Sequence, residues 1–197
     1  KQLSIVRYLN NFCSKFDAII YNLQTSIEDY KKLKQAIITQ AVTKGVRGER
    51  EMKDSGVEWI GEIPEEWNKC KLKNISIDIG DGLHGTPKFD DSGEVYFING
   101  NNFSSEYVRY YLSSTPAQII MTLSLNGTTI PNLSLNTLYN FSTILPPASE
   151  QAEIADYLDA KCAEINKLIA KKEQLVKELE SYKKSLIYEV VTGKREV

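Results

Sequence analysis

Across its 197 residues the chain has one histidine, three cysteines, two methionines and two tryptophans. His84, as the only histidine, makes a poor metal site and reads as a hydrogen-bonding loop residue. Cys13, Cys70 and Cys162 show neither metal nor disulfide spacing, which predicts thiols buried in a reducing, cytoplasmic setting. No stretch approaches the eighteen or so uninterrupted apolar residues of a membrane span. A glycine-rich cofactor loop after a strand, a phosphate loop ending in Gly-Lys-Ser/Thr and a His-Glu-x-x-His helix are also missing, so no catalytic role and no metal are expected. Glycine and proline are absent from the interiors of two long stretches, Gln2 to Thr43 and Gln151 to Thr192.

Those two stretches are copies of each other. Displacing the sequence by 149 positions lays the first on the second without a gap, with identities at Gln2/Gln151, Ile5/Ile154, Tyr8/Tyr157, Leu9/Leu158, Cys13/Cys162, Ile20/Ile169, Lys34/Lys183, Ile38/Ile187, Val42/Val191 and Thr43/Thr192. Within each copy the apolar residues recur in steps of three and four, the spacing of a seam between two helices. The predicted seam comprises Ile5, Leu9, Phe12, Phe16, Ile19, Leu23, Leu33 and Ile37 in the first copy, and Ile154, Leu158, Ile165, Leu168, Leu175, Leu179 and Leu186 in the second. Each copy can run as one helix of roughly 60 Å. A narrow apolar stripe on a lone helix needs a cover, and each copy is the economical cover for the other. The expected fold class is therefore α+β: a mixed α/β domain inserted between two long helices that pair as an antiparallel coiled coil. Its divisions are a helix over 1–45, a domain over 46–149 and a helix over 150–197. The chain begins at Lys1, partway into a repeat, as a fragment or processed chain would.

Charge is uneven along the chain. The first 45 residues carry +4, residues 46–149 carry −5 and the remainder carries −1. Gly45 is the expected left-handed stop of the first helix, and a solvated linker follows to Glu51. The Gly- and Pro-containing strap from Met52 to Trp67 pins the inserted domain to the helices, with Trp59 and Trp67 expected in the core. A strand is expected over 71–79 from the alternation of Leu72, Ile75, Ile77 and Ile79, and another over 95–98. Residues 110–125 suit a helix with Pro116 near its first turn, and residues 126–134 a polar loop. Phe141 to Leu145 reads as a strand halted by Pro146-Pro147, with Ser149 capping the last helix and Glu150, Glu153 and Asp156 at its positive end. The double proline lacks the polar residue before it and the aromatic after it that an adenine methyltransferase tetrapeptide needs, since Leu145 and Ala148 stand there.

Sequence reading of DNA needs short donor and acceptor side chains on loops that reach base edges, with close backbone approach to phosphate. Three stretches supply that chemistry: Gly82, His84, Gly85 and Thr86; Asn99, Asn101 and Asn102; and Gly127, Thr128 and Thr129. Turn-forming composition accounts for the same residues without any nucleic acid. Likewise Lys31, Lys32, Lys34, Lys171, Lys172, Lys183 and Lys184 could meet DNA or an acidic partner, but the wet side of a helix explains them as well.

Taken in order, Ser55-Gly56-Val57-Glu58-Trp59-Ile60-Gly61-Glu62-Ile63-Pro64-Glu65-Glu66-Trp67, Asp81-Gly82-Leu83-His84-Gly85-Thr86-Pro87, Gly127-Thr128-Thr129-Ile130-Pro131-Asn132-Leu133-Ser134, Leu145-Pro146-Pro147-Ala148-Ser149-Glu150-Gln151 and Leu186 to Lys194 resemble the specificity subunits of type I restriction-modification systems. In that family two target-recognition domains, each reading half of a split DNA site, are held apart by an antiparallel helix pair. The resemblance implies double-stranded DNA as ligand and the helices as spacer and docking surface for modification (methyltransferase) subunits, with a restriction subunit as a further candidate partner. It implies no cofactor on this chain, with S-adenosylmethionine on the modification partner. Two departures stand out. There is one recognition domain, as in a half-subunit or the second half of a longer protein, and that domain is short for the family, which points to missing sequence near Val108 and Arg109. The −5 balance supports a rival, a coiled-coil interaction module whose acidic domain mimics DNA and blocks restriction. A homodimer recreating a two-domain subunit is a third reading.

Overall fold

The computed structural model describes residues 2–75, 105–124 and 134–196. The chain divides into two compact units, Lys1–Lys34 with Lys161–Val197, and Gln35–Ala160. It is α+β, with a long helix at either end of the described chain. Helix α1 spans Gln2–Lys44. Strands β1 (Met52–Asp54) and β2 (Glu62–Pro64) follow, then β3 (Asn68–Lys71) and a 3-10 turn over Leu72–Asn74. Helices α2 (Ser105–Ser113), α3 (Thr115–Leu123) and α4 (Leu135–Asn140), strand β4 (Ser142–Leu145) and helix α5 (Ala148–Val191) complete the described elements.

In the first unit α1 and α5 pack antiparallel. Phe16 meets Tyr182 edge-on with ring centroids 5.5 Å apart, and Lys183 Nζ donates to Asp17 Oδ1. Lys172 Nζ lies 5.6 Å from the Tyr30 ring centroid, and Lys34 Nζ donates to Asn166 Oδ1 at 3.0 Å. Residue i of α1 thus faces a residue near 200 − i of α5. Combined with the 149-residue repeat, this makes the pair two-fold symmetric in sequence and space. Its axis passes between Thr25 and Ser26 on one helix and between Gln174 and Leu175 on the other. The operation converts the Lys183–Asp17 contact into Lys34–Asn166.

The seam differs in part from the expected one. Its covered positions are Phe16, Ile20, Leu23, Ile27, Tyr30 and Lys34 on α1, and Ile165, Ile169, Lys172, Val176, Leu179 and Lys183 on α5. Ile19, Leu33, Leu168 and Leu175, expected inside, are 46%, 48%, 36% and 42% exposed. Choosing apolar residues alone skipped Lys34, Lys172 and Lys183, which lay their aliphatic stems over the seam and send their charges to its edge. Admitting those lysines moves the register by one residue and turns the displaced apolar residues outward. Of the other expected seam residues, Leu23 and Leu179 are half-buried, and Ile165 and Leu186 are buried. Ile5, Leu9 and Phe12 are half-buried as well.

The second unit holds the inserted segment with the end of α1 and the start of α5. Its core gathers Val42, Ile63, Trp67, Leu72, Tyr107, Val108, Tyr111, Ile144, Ile154 and Leu158, all fully or almost fully buried; each contributes about 1.5–3 kcal/mol. Ile37 is half-buried beside them. On α2 the residues Tyr107 and Tyr111, with Val108 and Leu112, fall at i, i+4 and form one buried stripe. The strap folds as an antiparallel hairpin with Met52 opposite Pro64 and Asp54 opposite Glu62. Further on, β3 and β4 pair antiparallel from Asn68/Leu145 to Lys71/Ser142.

Four local expectations are corrected. Of the strand placed at 71–79, residues 76–79 lie outside the described residues; over the rest, strand β3 (Asn68–Lys71) ends at Lys71 and the chain enters a 3-10 turn that buries Leu72 and Ile75 three residues apart. The single helix of 110–125 is two. A continuous helix would drive the Pro116 ring against the Leu112 carbonyl; instead Ser114 is extended, and Leu112 O accepts from Gln118 Nε2 at 2.7 Å. Helix α2 runs unbroken through Val108 and Arg109. Ser134, placed in a loop, caps α4 by accepting from Thr137 N at 3.1 Å. Helix α5 begins directly after Pro147, whose carbonyl accepts from the backbone N–H groups of Glu150 and Gln151, so Ser149 lies in the first turn and does not cap it. Gly45 does stop α1, at φ +80°.

Candidate nucleic-acid interface

Ten candidate DNA-reading residues, Gly82, His84, Gly85, Thr86, Asn99, Asn101, Asn102, Gly127, Thr128 and Thr129, lie outside the described residues, as does the strand expected over 95–98. What is described is the frame from which those stretches leave and to which they return. The first departs after the turn that follows β3, and the last re-enters at Ser134, immediately before α4. Leu72 N donates to Phe141 O at 3.0 Å, joining that exit to that re-entry.

Tyrosines on α2 clamp the frame. The Tyr107 hydroxyl, fully buried, lies 3.2 Å from Val42 O and 3.1 Å from Ile144 O and donates its proton to one of them. Tyr111 donates to Ser142 O at 3.0 Å. Burial pushes both phenols above their ordinary range and keeps them as donors. Tyr110 donates to Asp159 Oδ1 at 2.6 Å, and Arg109 reaches the same oxygen at 3.2 Å while stacking 4.1 Å over the Tyr110 ring. Half-buried Cys70 faces the same interior, and burial pushes its thiol up to about 11.

A buried charge cluster fixes where the domain meets α5. Glu150, expected at an exposed helix end, has a side chain with no exposure. Its Oε2 accepts from Trp67 Nε1 at 2.9 Å, and its Oε1 makes an ion-pair contact with Arg50 Nη2 at 2.6 Å. Arg50 also pairs with Glu66 at 2.8 Å, donates to Lys44 O at 2.9 Å and stacks 5.2 Å over Trp67. Arg47 binds Glu153 through Nε and Nη2 at 2.9 and 2.7 Å, and this holds the Glu153 carboxyl below the usual carboxylate range. The 45–51 segment, expected to be a solvated linker, is therefore a clasp. A Cβ on Gly45 would lie 1.9 Å from Arg50 Nη2. Trp67 is buried as expected, and Trp59 is half-buried against Phe141 at 5.7 Å.

Among the described residues no group of three or more His, Cys, Asp or Glu could hold a metal ion, and no helix is long and apolar enough to cross a membrane. Residues 90–178 match the family model described as type I restriction modification DNA specificity domain. Over those residues the chain is similar to a type I specificity domain. That match runs from residue 90, outside the described residues, through α2, α3, α4 and β4 into α5, so it takes in part of the helix that lies opposite α1. The type I restriction enzyme MjaVIII specificity subunit of Methanocaldococcus jannaschii is 39% identical over 71 residues, which is 36% of this chain and 16% of that relative. The HsdS subunit from Thermoanaerobacter tengcongensis is similar at 15% identity and a TM-score of 0.47, over 96% of this chain and 57% of that one. The chain thus matches only part of the length of each.

Of the side chains that hold the second unit together, Arg50 and Tyr107 were not singled out from sequence, and Glu150 was expected only as an acid at the positive end of the last helix. The i, i+4 spacing of Tyr107 and Tyr111 was a readable signal. Nothing local in Arg50 or Glu150 tells that the two meet, because they are a hundred positions apart.

Proposed function

We propose that this chain is the sequence-reading part of a type I restriction-modification specificity subunit. Its inserted domain recognises one half of a bipartite double-stranded DNA target, and its helices set the distance to the other half and dock the modification subunits. The observation that carries this reading is the specificity-domain match over 90–178, on a scaffold whose flanking helices are an internal two-fold repeat. In this reading the chain supplies binding alone, and S-adenosylmethionine and methyl transfer belong to the modification partner.

Docking is supported by the apolar residues that the seam leaves outside. Ile19 and Leu33 on α1, and Leu168, Leu175 and Tyr182 on α5, recur at seven-residue intervals or multiples of them. Under the two-fold Ile19 corresponds to Leu168 and Leu33 to Tyr182, which offers equivalent footholds to two identical partners. Apolar side chains at Leu3, Val6, Tyr188 and Val191 are more than half exposed, at positions suited to a second recognition domain, whether from a longer chain or from a second copy in a homodimer.

The decisive experiment mixes the chain with purified modification subunit and selects bound duplexes from a randomised pool. One enriched half-site supports the reading, and a pool left random counts against it. Replacing Thr128 and Thr129 together by Ala should lower specific affinity in that complex. The acidic −5 domain favours the mimic reading; a mimic would compete with DNA for the modification subunit instead of recruiting it.

A further inference from the structure

Acidic overall, the inserted domain segregates its charge. From Trp67 to Ile77 it carries Lys69, Lys71 and Lys73 and no acidic residue, whereas Glu49 to Glu66 carries seven acids. The structure brings two of these lysines to one point. Lys71 Nζ and Lys73 Nζ lie 3.4 and 3.2 Å from the same oxygen, Asn140 Oδ1, so the two ammonium groups are no more than about 6.6 Å apart. Asn140 is held with its oxygen toward them because its Nδ2 donates to Asn136 O at 2.9 Å and to Asn136 Oδ1 at 3.0 Å. Lys69 lies two residues before Lys71 on β3, on the same face, and donates only to Gly56 O.

Two like charges this close repel, and a neutral amide oxygen cannot balance them. No described carboxylate pairs with either lysine, although most other arginines and several lysines in the chain have one. Each exposed ammonium keeps donors free. Position matters equally: the cluster joins the turn after β3, close to where the first candidate reading stretch leaves the described frame, to the far end of α4, the short helix that follows the re-entry at Ser134.

We propose that Lys71 and Lys73, oriented by Asn140 and extended by Lys69, form a phosphate-backbone contact of the specificity domain, setting its register on the duplex while other residues read the bases. The inference rests on the DNA-reading function above and adds where the backbone is gripped. Non-specific protein–DNA affinity falls with salt at a log–log slope of about −0.9 for each phosphate neutralised, so the contact is countable.

The test measures binding of the full chain, with its modification subunit, to a short random-sequence duplex by fluorescence anisotropy over a range of salt. Lys71→Gln with Lys73→Gln should make the slope shallower by about 1.8. Lys167→Gln with Lys177→Gln on α5 removes the same net charge and should leave the slope nearly unchanged. Asn140→Asp, which puts a carboxylate between the ammonium groups, should weaken binding with both lysines present. Thermal melts matching wild type establish that the variants fold. A wild-type slope retained in the Lys71/Lys73 double variant, where wild type binds DNA, overturns the backbone contact and leaves the reading function standing. A wild-type complex that binds no duplex at low salt overturns both.

Discussion

Removing the Glu150 carboxylate should be among the most damaging single changes to the second unit. The side chain is fully covered, and it serves Trp67 Nε1 and Arg50 together, the latter only 14% exposed. Glu150→Ala therefore leaves a mostly buried guanidinium short of one partner and a buried indole N–H with none. Taking one member from a buried pair costs about 3–5 kcal/mol, a large part of the roughly 5–15 kcal/mol that holds an ordinary domain together. Glu150→Gln keeps the volume and an acceptor for Trp67 but loses the charge, and should cost about 1.5–3 kcal/mol. Arg47→Ala removes a side chain 45% exposed to solvent, where water already screens the pair, and should cost far less than either change at Glu150. Urea unfolding followed by tryptophan fluorescence checks the ranking, since Trp67 sits inside the cluster. A Glu150→Ala variant within about 1 kcal/mol of wild type, or an Arg47→Ala variant as damaged as Glu150→Ala, would refute the buried-clasp argument.

Other outcomes follow from the same geometry. Ile20→Ala, in the seam at 9% exposure, should destabilise the helix pair by about 2–4 kcal/mol, whereas its 46%-exposed neighbour Ile19→Ala should change it by less than about 0.5 kcal/mol in the isolated chain; circular dichroism melts compare them. Asn166→Asp would give Lys34 the carboxylate that Lys183 already has in Asp17, and should add up to about 1 kcal/mol, lost at high salt. Gly45→Ala should cost clearly more than Gly193→Ala in urea titrations: both glycines have positive φ, but only the first has Arg50 within reach of the new methyl group. Because Arg47 depresses the Glu153 carboxyl, its stabilisation is present above the normal carboxylate range and fades as pH falls through it. The stability gap between wild type and Arg47→Ala should therefore narrow on acidification.

The parts of the fold legible in sequence were those whose signal is periodic. Two glycine- and proline-free copies at a fixed displacement announced two long helices, and the αL Gly45 announced where the first stops. The seam register was half legible, because apolarity alone cannot tell a Leu in the seam from a Leu beside it. Lys34 and Lys183 decide the register, and they belong to a residue class that composition rules send to the surface. The pairing of Arg50 with Glu150 was not legible at all, since a contact between residues a hundred positions apart leaves no local pattern. Ser134 was not legible as a cap because it closes a polar, turn-forming run and the helix that it starts is only six residues long.

Lys34 and Lys183 carry a further argument about what the repeat preserves. Each is repeat-equivalent to the other, each lies in the seam, and each sends its charge across to the equivalent partner position, Asn166 or Asp17. An apolar residue at either site would bury more area and tolerate a slipped pairing, since Leu and Ile cover one seam position about as well as the next. A lysine does not slip freely, because moving one heptad carries its ammonium away from the acceptor waiting opposite. Two such pins placed symmetrically about the axis fix the helices lengthwise, and a seven-residue slip moves one helix by about 10 Å along the other. For a protein whose proposed task is to hold reading domains at a set separation on DNA, that shift is about three base pairs. Lys34→Leu with Lys183→Leu should accordingly leave the helix pair as stable or more so, while broadening the spacing between half-sites recovered in a selection from randomised duplexes. A spacing as narrow as that of wild type would remove the lysines from the ruler.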